Sequence, residues 1–388
     1  MKVLHIIPSI SSKRGGPSIA VMKMVKALRD EGVDASILTT TDNSIYREID
    51  HPLGRWFTFD DIPILIFPVV CSRIEVLNEY LISPRLSCWL IQNIEEYDAI
   101  HIHAIFSYST TVSMLIARLK NIPYIVRTIG QLNSWSLSQS RIKKLLMLSL
   151  IEHRNLMAAM AIHVTSKSEM EDLKKICDHK NVLCLELGVD LRGIVISEKR
   201  TAPEIISFIF LSRIHPKKRL DNLLEAFSFL SKEHDEIPWK LFIAGSGDSD
   251  YIFALKKLAE EYGINDSIEW MGHLNQEKKL ALLKSCDWYV LPSISENFGL
   301  SVVEALACGL PVIISEEVGI SDIILENKAG LVTGISLSLV DALKFAVQGA
   351  PLEMKKAAVK LAREKFSWDE IGKKLSFFYK INIKERTK

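Results

Sequence analysis

The chain has 388 residues, 48% of them hydrophobic and 24% charged, the composition of an ordinary globular protein with room for two α/β domains. Its net charge of +1 is spread evenly, 21 basic against 20 acidic residues up to position 190 and 27 against 27 beyond it, so neither half is a basic nucleic-acid domain. Six scattered cysteines with no C-x-x-C pair, no histidine cluster at zinc spacing and an apolar start too short for a signal peptide exclude a disulfide framework and fit a reduced, cytoplasmic setting.

KVLHIIP (2–8) reads as a first parallel strand, followed by the loop SISSKRGGP and a helix over about 18–29. Gly15 and Gly16 allow the backbone to approach a ligand, and Ser18 is a candidate N-cap. Strands recur at 35–40, 62–67, 98–103 and 122–127 with helical segments between several of them, the doubly wound pattern. Residues 42–61 and 69–84 read as irregular. His103 ends its strand at the edge where such sheets bind ligands, whereas His101 is read as facing the other way, into packing.

Arg127 and Gly130 stand at the mouth of the next strand, and Trp135 can stack on a sugar face. The helix after it carries Arg141, Lys143 and Lys144 beside Leu145, Leu146, Leu148 and Leu150. That is either simple amphipathicity or a face for a lipid-linked acceptor at a membrane surface. The polar stretch 197–204 reads as a linker, after which strands at 205–211, 240–245, 268–272 and 288–292 alternate with helices. Gly245-Ser246-Gly247 lacks the third glycine of a dinucleotide fingerprint, because Asp250 stands there. Asp248-Ser249-Asp250 is D-x-D in letters, but before a helix these acids are caps.

The strand WYVLP (288–292) leads into SENFGLSVVEALACGLPVI (295–313). Glu296 precedes a helix N-terminus and Glu304 lies within it, with Gly299 permitting a tight backbone between them. The amides of Asn297, Phe298, Gly299 and Leu300 can meet an anion or a sugar hydroxyl, and carboxylates suit vicinal diols.

Glu296, seven intervening residues, Glu304 and the run EALACGLPVI resemble the E-x7-E signature of the retaining family-four glycosyltransferases, which have the GT-B fold. SRIHPKKRLDNLLEAF (212–227), RTIGQLNSWSLSQSRIKKLL (127–146), GVD (188–190) and FSWDEIGKKLSFFYK (366–380) resemble further segments of that family. The resemblance implies two Rossmann-like domains facing across a cleft: an N-terminal acceptor domain over 1–190, joined by a C-terminal helix over 366–388, and a nucleotide-sugar domain over 191–365. It implies that Arg213 and Lys218 hold the donor diphosphate, with Gly15, Gly16 and Gly245 nearby. Glu304 then holds the ribose, and Glu296, the neighbouring amides and His103 hold the sugar. Arg127 and Trp135 fall on the acceptor side, no metal or cofactor is needed, and the acceptor is a glycan or lipid-linked hydroxyl in surface polysaccharide or lipopolysaccharide assembly, with contact at the inner membrane face. A non-catalytic sugar-nucleotide-binding scaffold is the alternative.

Overall fold

The computed structural model describes residues 1–11, 15–41, 52–70, 80–191, 205–233, 238–334 and 336–383. The chain divides into two compact units, Met1–Gly188 with Trp368–Lys388, and Val189–Ser367. The linker at 197–204 lies outside the described residues.

The first unit is built on an eight-stranded sheet in the order β3-β4-β2-β1-β5-β6-β7-β8. Its strands are β1 Lys2–Ile7, β2 Asp34–Thr40, β3 Trp56–Phe59, β4 Ile62–Phe67, β5 Ala99–His103, β6 Tyr124–Arg127, β7 Ala161–Val164 and β8 Val182–Cys184. Every pairing is parallel except β3 with β4. Near-continuous apolar strands such as IPILIF are what a sheet covered on both faces demands, and β5 is buried at every position.

Two local readings change. β3, inside the stretch read as irregular, closes a hairpin through Asp60 and Asp61, both at positive φ (51° and 64°), a conformation aspartate tolerates at a two-residue turn. The helix after β1 runs Gly16–Asp30 and begins earlier than expected. Pro17 sits in its first turn, Gly15 at φ 82° is the cap residue, and Ser18 instead donates its hydroxyl to the Ser9 carbonyl at 2.9 Å.

The second unit has a six-stranded parallel sheet, β11-β10-β9-β12-β13-β14. Its strands are β9 Ile206–Leu211, β10 Trp239–Ala244, β11 Ile268–Gly272, β12 Trp288–Leu291, β13 Val312–Ser315 and β14 Gly330–Thr333. β12 is wholly buried. The order reverses between β9 and β12, which fixes a switch point where the loops after these two strands diverge. Both units are thus doubly wound α/β, and the site residues of the second unit cluster at this switch point.

Candidate active site

β9 runs into Ser212-Arg213-Ile214-His215 and then a short 3-10 turn, Pro216–Lys218, ahead of the helix Leu220–Glu233. β12 runs into Pro292–Gly299. The two loops are fastened together: the Ile294 amide donates to the Lys217 carbonyl at 2.9 Å, and Ser293 Oγ donates to the same oxygen at 3.0 Å. That register sets the Lys218 ammonium on the Glu296 carboxylate. The lysine side chain is 6% exposed and the glutamate 24%, so the cation is the buried partner. Glu296 is held in turn by its backbone, which accepts from the Gly319 amide at 2.8 Å and donates to the Glu317 carbonyl at 3.2 Å.

The turn is strongly cationic. The His215 pKa is lowered by burial and by the charges of Lys217, Arg213 and Lys218. The Lys217 pKa is lowered by burial and by Lys218 and Arg213, with Glu296 opposing. Positive groups that depress one another are a standing attraction for an anion. Arg213 is exposed, so the structure pairs Lys218 with Glu296 and leaves Arg213 open to solvent. Lys217 and His215, both missed in the sequence, belong to the same cluster; the run H-P-K-K was their signal.

Gly245 lets two loops of the second unit approach each other closely. At φ +146°, a Cβ there would stand 1.9 Å from the Ser212 carbonyl oxygen, and one at Gly247 would stand 2.1 Å from that of Ile214. These glycines let the loop after β10 lie directly on the loop that carries Arg213, joined by the Ile214 amide donating to Ser246 at 2.9 Å. Asp248 caps the helix Ser249–Glu261, accepting from the amides of Asp250 and Tyr251 at 3.1 and 3.0 Å.

Gly299 is the cap residue of the helix Leu300–Ala307, at φ 88°. A side chain there would be strained by this φ and would meet Val302 at 3.0 Å. Phe298 is core, its ring edge-on to Phe366 at 5.8 Å, so only its amide is offered to a ligand. Asn297 and Leu300 are half-buried. Glu304 is paired with Lys279 at 2.6 Å, a lysine of the helix Gln276–Ser285 that sequence reasoning missed because it is distant in the chain. Tyr289, buried beneath, places its hydroxyl 2.7 Å from Ser301 Oγ and 3.1 Å from the Leu211 carbonyl, which fixes the helix start to the end of β9. A separate pocket of about 240 Å³ opens between Arg219, Ser293, Ser315 and Thr333; none of Arg213, Lys218, Glu296 or Glu304 lines it.

In the first unit the expected residues lie at the carboxyl edge, but mostly sealed. His103 is fully buried and 3.0 Å from His5, Nε2 to Nδ1. Arg127 is 2% exposed, and burial lowers its pKa to about 10 against the support of Glu169. Among the described residues, Arg127 Nε and Nη1, His103 Nδ1 and His5 Nε2 have no hydrogen-bond partner. The reading of His101 is corrected: residues two apart on a strand share a face, and its ring stacks on that of His103 at 4.4 Å. His163 donates Nε2–H to the Leu185 carbonyl at 2.9 Å, so its Nδ1 accepts from His101 Nε2 at 3.3 Å, and His101 Nδ1 accepts from the Tyr379 hydroxyl at 2.6 Å. This chain fixes the tautomers and needs both rings neutral. Burial above all keeps all four histidines below their ordinary pKa, to about 3 for His5 and His163.

Ligand atoms of His5, His101 and His103 lie within 4.8 Å of one another, a grouping the sequence hid across two strands. Both nitrogens of His101 are already committed within the hydrogen-bonded chain. Glu169, also missed, accepts from Thr128 Oγ1 at 2.7 Å, the Gly130 amide at 2.6 Å and Thr165 N and Oγ1 at 2.8 and 2.9 Å, which holds the turn after β6. Ala104, Phe106 and Ile129, in the loops after β5 and β6, have positive φ of 84°, 61° and 47°; side chains held there by their surroundings mark strained loops of the kind found at functional sites. Trp135 is half-buried in the helix Ser134–Ser138, capped by Asn133.

Two family profiles match the chain, "Glycosyl transferase 4-like domain" over residues 15–176 and "Glycosyl transferases group 1" over residues 196–365. A D-inositol 3-phosphate glycosyltransferase of Pseudarthrobacter chlorophenolicus is 23% identical over 341 residues, 83% of this chain and 79% of the relative. Among solved structures, HepE of Anabaena, determined with UDP and glucose, aligns with a TM-score of 0.71 at 17% identity over 98% of this chain and 100% of its own. Sucrose-phosphate synthase of Thermosynechococcus elongatus aligns at 0.76 and 17% identity over 98% and 99%. With one profile on each α/β unit and the fold shared along the whole length, the chain belongs to the group 1 glycosyltransferases of GT-B fold.

Proposed function

We propose that the chain moves a hexosyl or N-acetylhexosaminyl group from a nucleoside diphosphate sugar to a hydroxyl of a glycan or lipid-linked acceptor, with retention at the anomeric carbon and without a metal. The observation that carries this reading is the Lys218–Glu296 pair inside a cationic turn at the switch point of the second unit. Transfer breaks the bond from the sugar C1 to the diphosphate oxygen and forms one from C1 to the acceptor oxygen; the acceptor proton passes to the departing phosphate oxygen. Arg213, Lys218 and the amides at Gly299 and Leu300 meet the charge that builds on the leaving group, each good donor contributing on the order of 3 kcal/mol to the transition state. Lys217 adds to that field.

Glu304 holds the ribose diol once Lys279 yields one carboxylate oxygen, and Glu296 accepts from sugar hydroxyls while Lys218 fixes its orientation. His103, Gly15 and Gly16 complete the donor side, and Arg127 and Trp135 the acceptor side. The unpartnered nitrogens of His103 and Arg127 supply a reason for polar ligands to engage them. The HepE structure with UDP and glucose supports a nucleotide-sugar donor. The acceptor belongs to surface polysaccharide or lipopolysaccharide assembly in the cytoplasm.

The test is calorimetric binding of UDP-, GDP- and ADP-sugars, followed by turnover with chelator present and NMR of the product anomer. One nucleotide should bind, lose affinity at least tenfold in Glu304→Ala, and yield a product of the donor's own anomeric configuration in chelator. Tight binding with no transfer to any hydroxyl acceptor would support the scaffold alternative, and an inverted anomer would remove the retaining mechanism.

A further inference from the structure

Arg127 ends β6 in register with His103 of β5 and His163 of β7, and His5 of β1 lies opposite His101 of β5. Register partners, and residues two apart on a strand, share a face. One face of the sheet therefore carries an arginine among four histidines, towards the carboxyl edge where α/β sheets meet their ligands. All five side chains are buried, the histidines completely. Burial lowers the Arg127 pKa only to about 10, so the guanidinium is cationic at neutral pH, and its charge helps to hold all four histidines neutral. Glu169 supports that charge through its field, while its carboxylate accepts hydrogen bonds from Thr128, Gly130 and Thr165.

Arg127 Nε and Nη1 are two donors without a partner among the described residues. The histidines supply a third. His5 Nδ1 and His103 Nε2 share one bond at 3.0 Å, and in a neutral pair one ring gives its hydrogen to the other. Of the two outer nitrogens, His5 Nε2 and His103 Nδ1, one therefore carries a hydrogen and the other does not; both lack a partner among the described residues. A buried cation with unpaired donors is strongly destabilising until an opposite charge meets it, and the planar guanidinium fork matches the paired oxygens of a carboxylate or phosphate. The backbone around it is held firmly. The Ala104 amide donates to the Arg127 carbonyl at 2.9 Å, and the Ile105 amide to Gln131 Oε1 at 2.6 Å. Ala104 and Ile129, which border the arginine, are the strained positions at φ 84° and 47°. The same positive charge argues against a metal ion on His5, His101 and His103, since like charges repel in so buried a place.

We propose that Arg127 and the His5–His103 pair form an anion site in the first unit, and that the acceptor brings a carboxylate or phosphate group to it. The proposal rests on the acceptor side of the transfer reading. The site is measured with no sugar nucleotide present, so its failure leaves that reading standing, and a failure to transfer leaves the binding result intact. Melting of the full chain is followed in inorganic phosphate against chloride at equal ionic strength, and in glucuronate against glucose and acetate. The proteins are wild type, Arg127→Met and Arg213→Met, the last removing an exposed cation of the donor turn. Where the methionine variant of Arg127 does not fold, Arg127→Lys, which keeps the charge without the planar fork, carries the same comparison.

Phosphate and glucuronate should raise the melting temperature of wild type and of Arg213→Met, and glucuronate should exceed both glucose and acetate. Arg127→Met should weaken both responses at least tenfold in midpoint concentration. In chloride it should melt no lower than wild type, because methionine removes a buried charge with unpaired donors. No response in wild type, or one that the Arg127 variant leaves unchanged, overturns the proposal. A response lost in Arg213→Met instead places the anion on the donor turn and overturns it as well. Acetate acting as strongly as glucuronate would mean a site for free ions only, and overturns the assignment to the acceptor.

Discussion

Lys218 and Glu296 are not equivalent partners, because the lysine is the one taken out of water. Removing the glutamate leaves an ammonium with little solvent, and breaking a buried pair from that side is costly. Glu296→Ala should therefore lower stability by about 2 kcal/mol, read by urea unfolding. Lys218→Met keeps the volume, removes the desolvated charge and leaves a carboxylate that water still reaches, so its stability should change by less than about 1 kcal/mol. Both should lose transfer activity. Equal destabilisation by the two variants would mean that the pair is worth the same from each side, contrary to its burial. Gly245→Ala isolates the geometry from the charge: a methyl 1.9 Å from the Ser212 oxygen must push the Arg213 loop away. It should weaken nucleotide binding at least tenfold. Gly263→Ala, also at positive φ but with nothing within 4 Å, should cost only about 1 kcal/mol in stability and leave binding unchanged.

At the scale of elements, the strands with apolar runs were legible because burial on both faces imposes such runs whatever the tertiary detail. KVLHII, IPILIF and WYVL are all observed strands. β3 was not legible, being four residues at a sheet edge, and neither was β14, Gly330–Thr333, whose short run carries a glycine. Of the site, Glu296, Gly299 and the Arg213–Lys218 turn could be found because they are contiguous with strands that announce themselves. Lys279 and Glu169 could not, since each acts on a segment well removed in sequence. The histidine group was concealed in the same way: His5, His101 and His163 are polar positions in three largely apolar strands, and only the register, with His5 opposite His101, brings them together. That chain also ties down the last helix, Trp368–Asn382, through Tyr379. Tyr379→Phe removes the donor to His101 Nδ1 and leaves a buried acceptor unsatisfied, so it should cost about 1–2 kcal/mol. Hydrogen exchange should rise in the last helix and in the helix Gly16–Asp30 against which it packs.

For the whole molecule, the four histidines buried among the described residues all belong to one unit, so acid should act on the two units unequally. A histidine whose folded pKa is depressed binds fewer protons folded than unfolded once the pH is below about 6.5. Its contribution to stability is complete above that pH and is lost as the pH falls towards the folded value, about 3 for His5 and His163. Each such histidine costs about 1 kcal/mol per unit of pH in that window, on the order of 4 kcal/mol for the four at one unit below 6.5. Glu152, raised by burial, works in the opposite direction, because it accepts its proton more readily when folded, but it is one group against four. With two independent cores, thermal unfolding should show two transitions. Between about pH 7.5 and about pH 5.5 the transition of the first unit should fall by roughly 10 °C while that of the second moves far less. The bare nucleotide should make the assignment, since a ligand held chiefly by the folded second unit raises that unit's transition more. Parallel movement of both transitions with pH would place the acid-sensitive groups outside the histidine chain, and His101→Gln, which should shrink the pH dependence of the first transition alone, would then leave it unaltered.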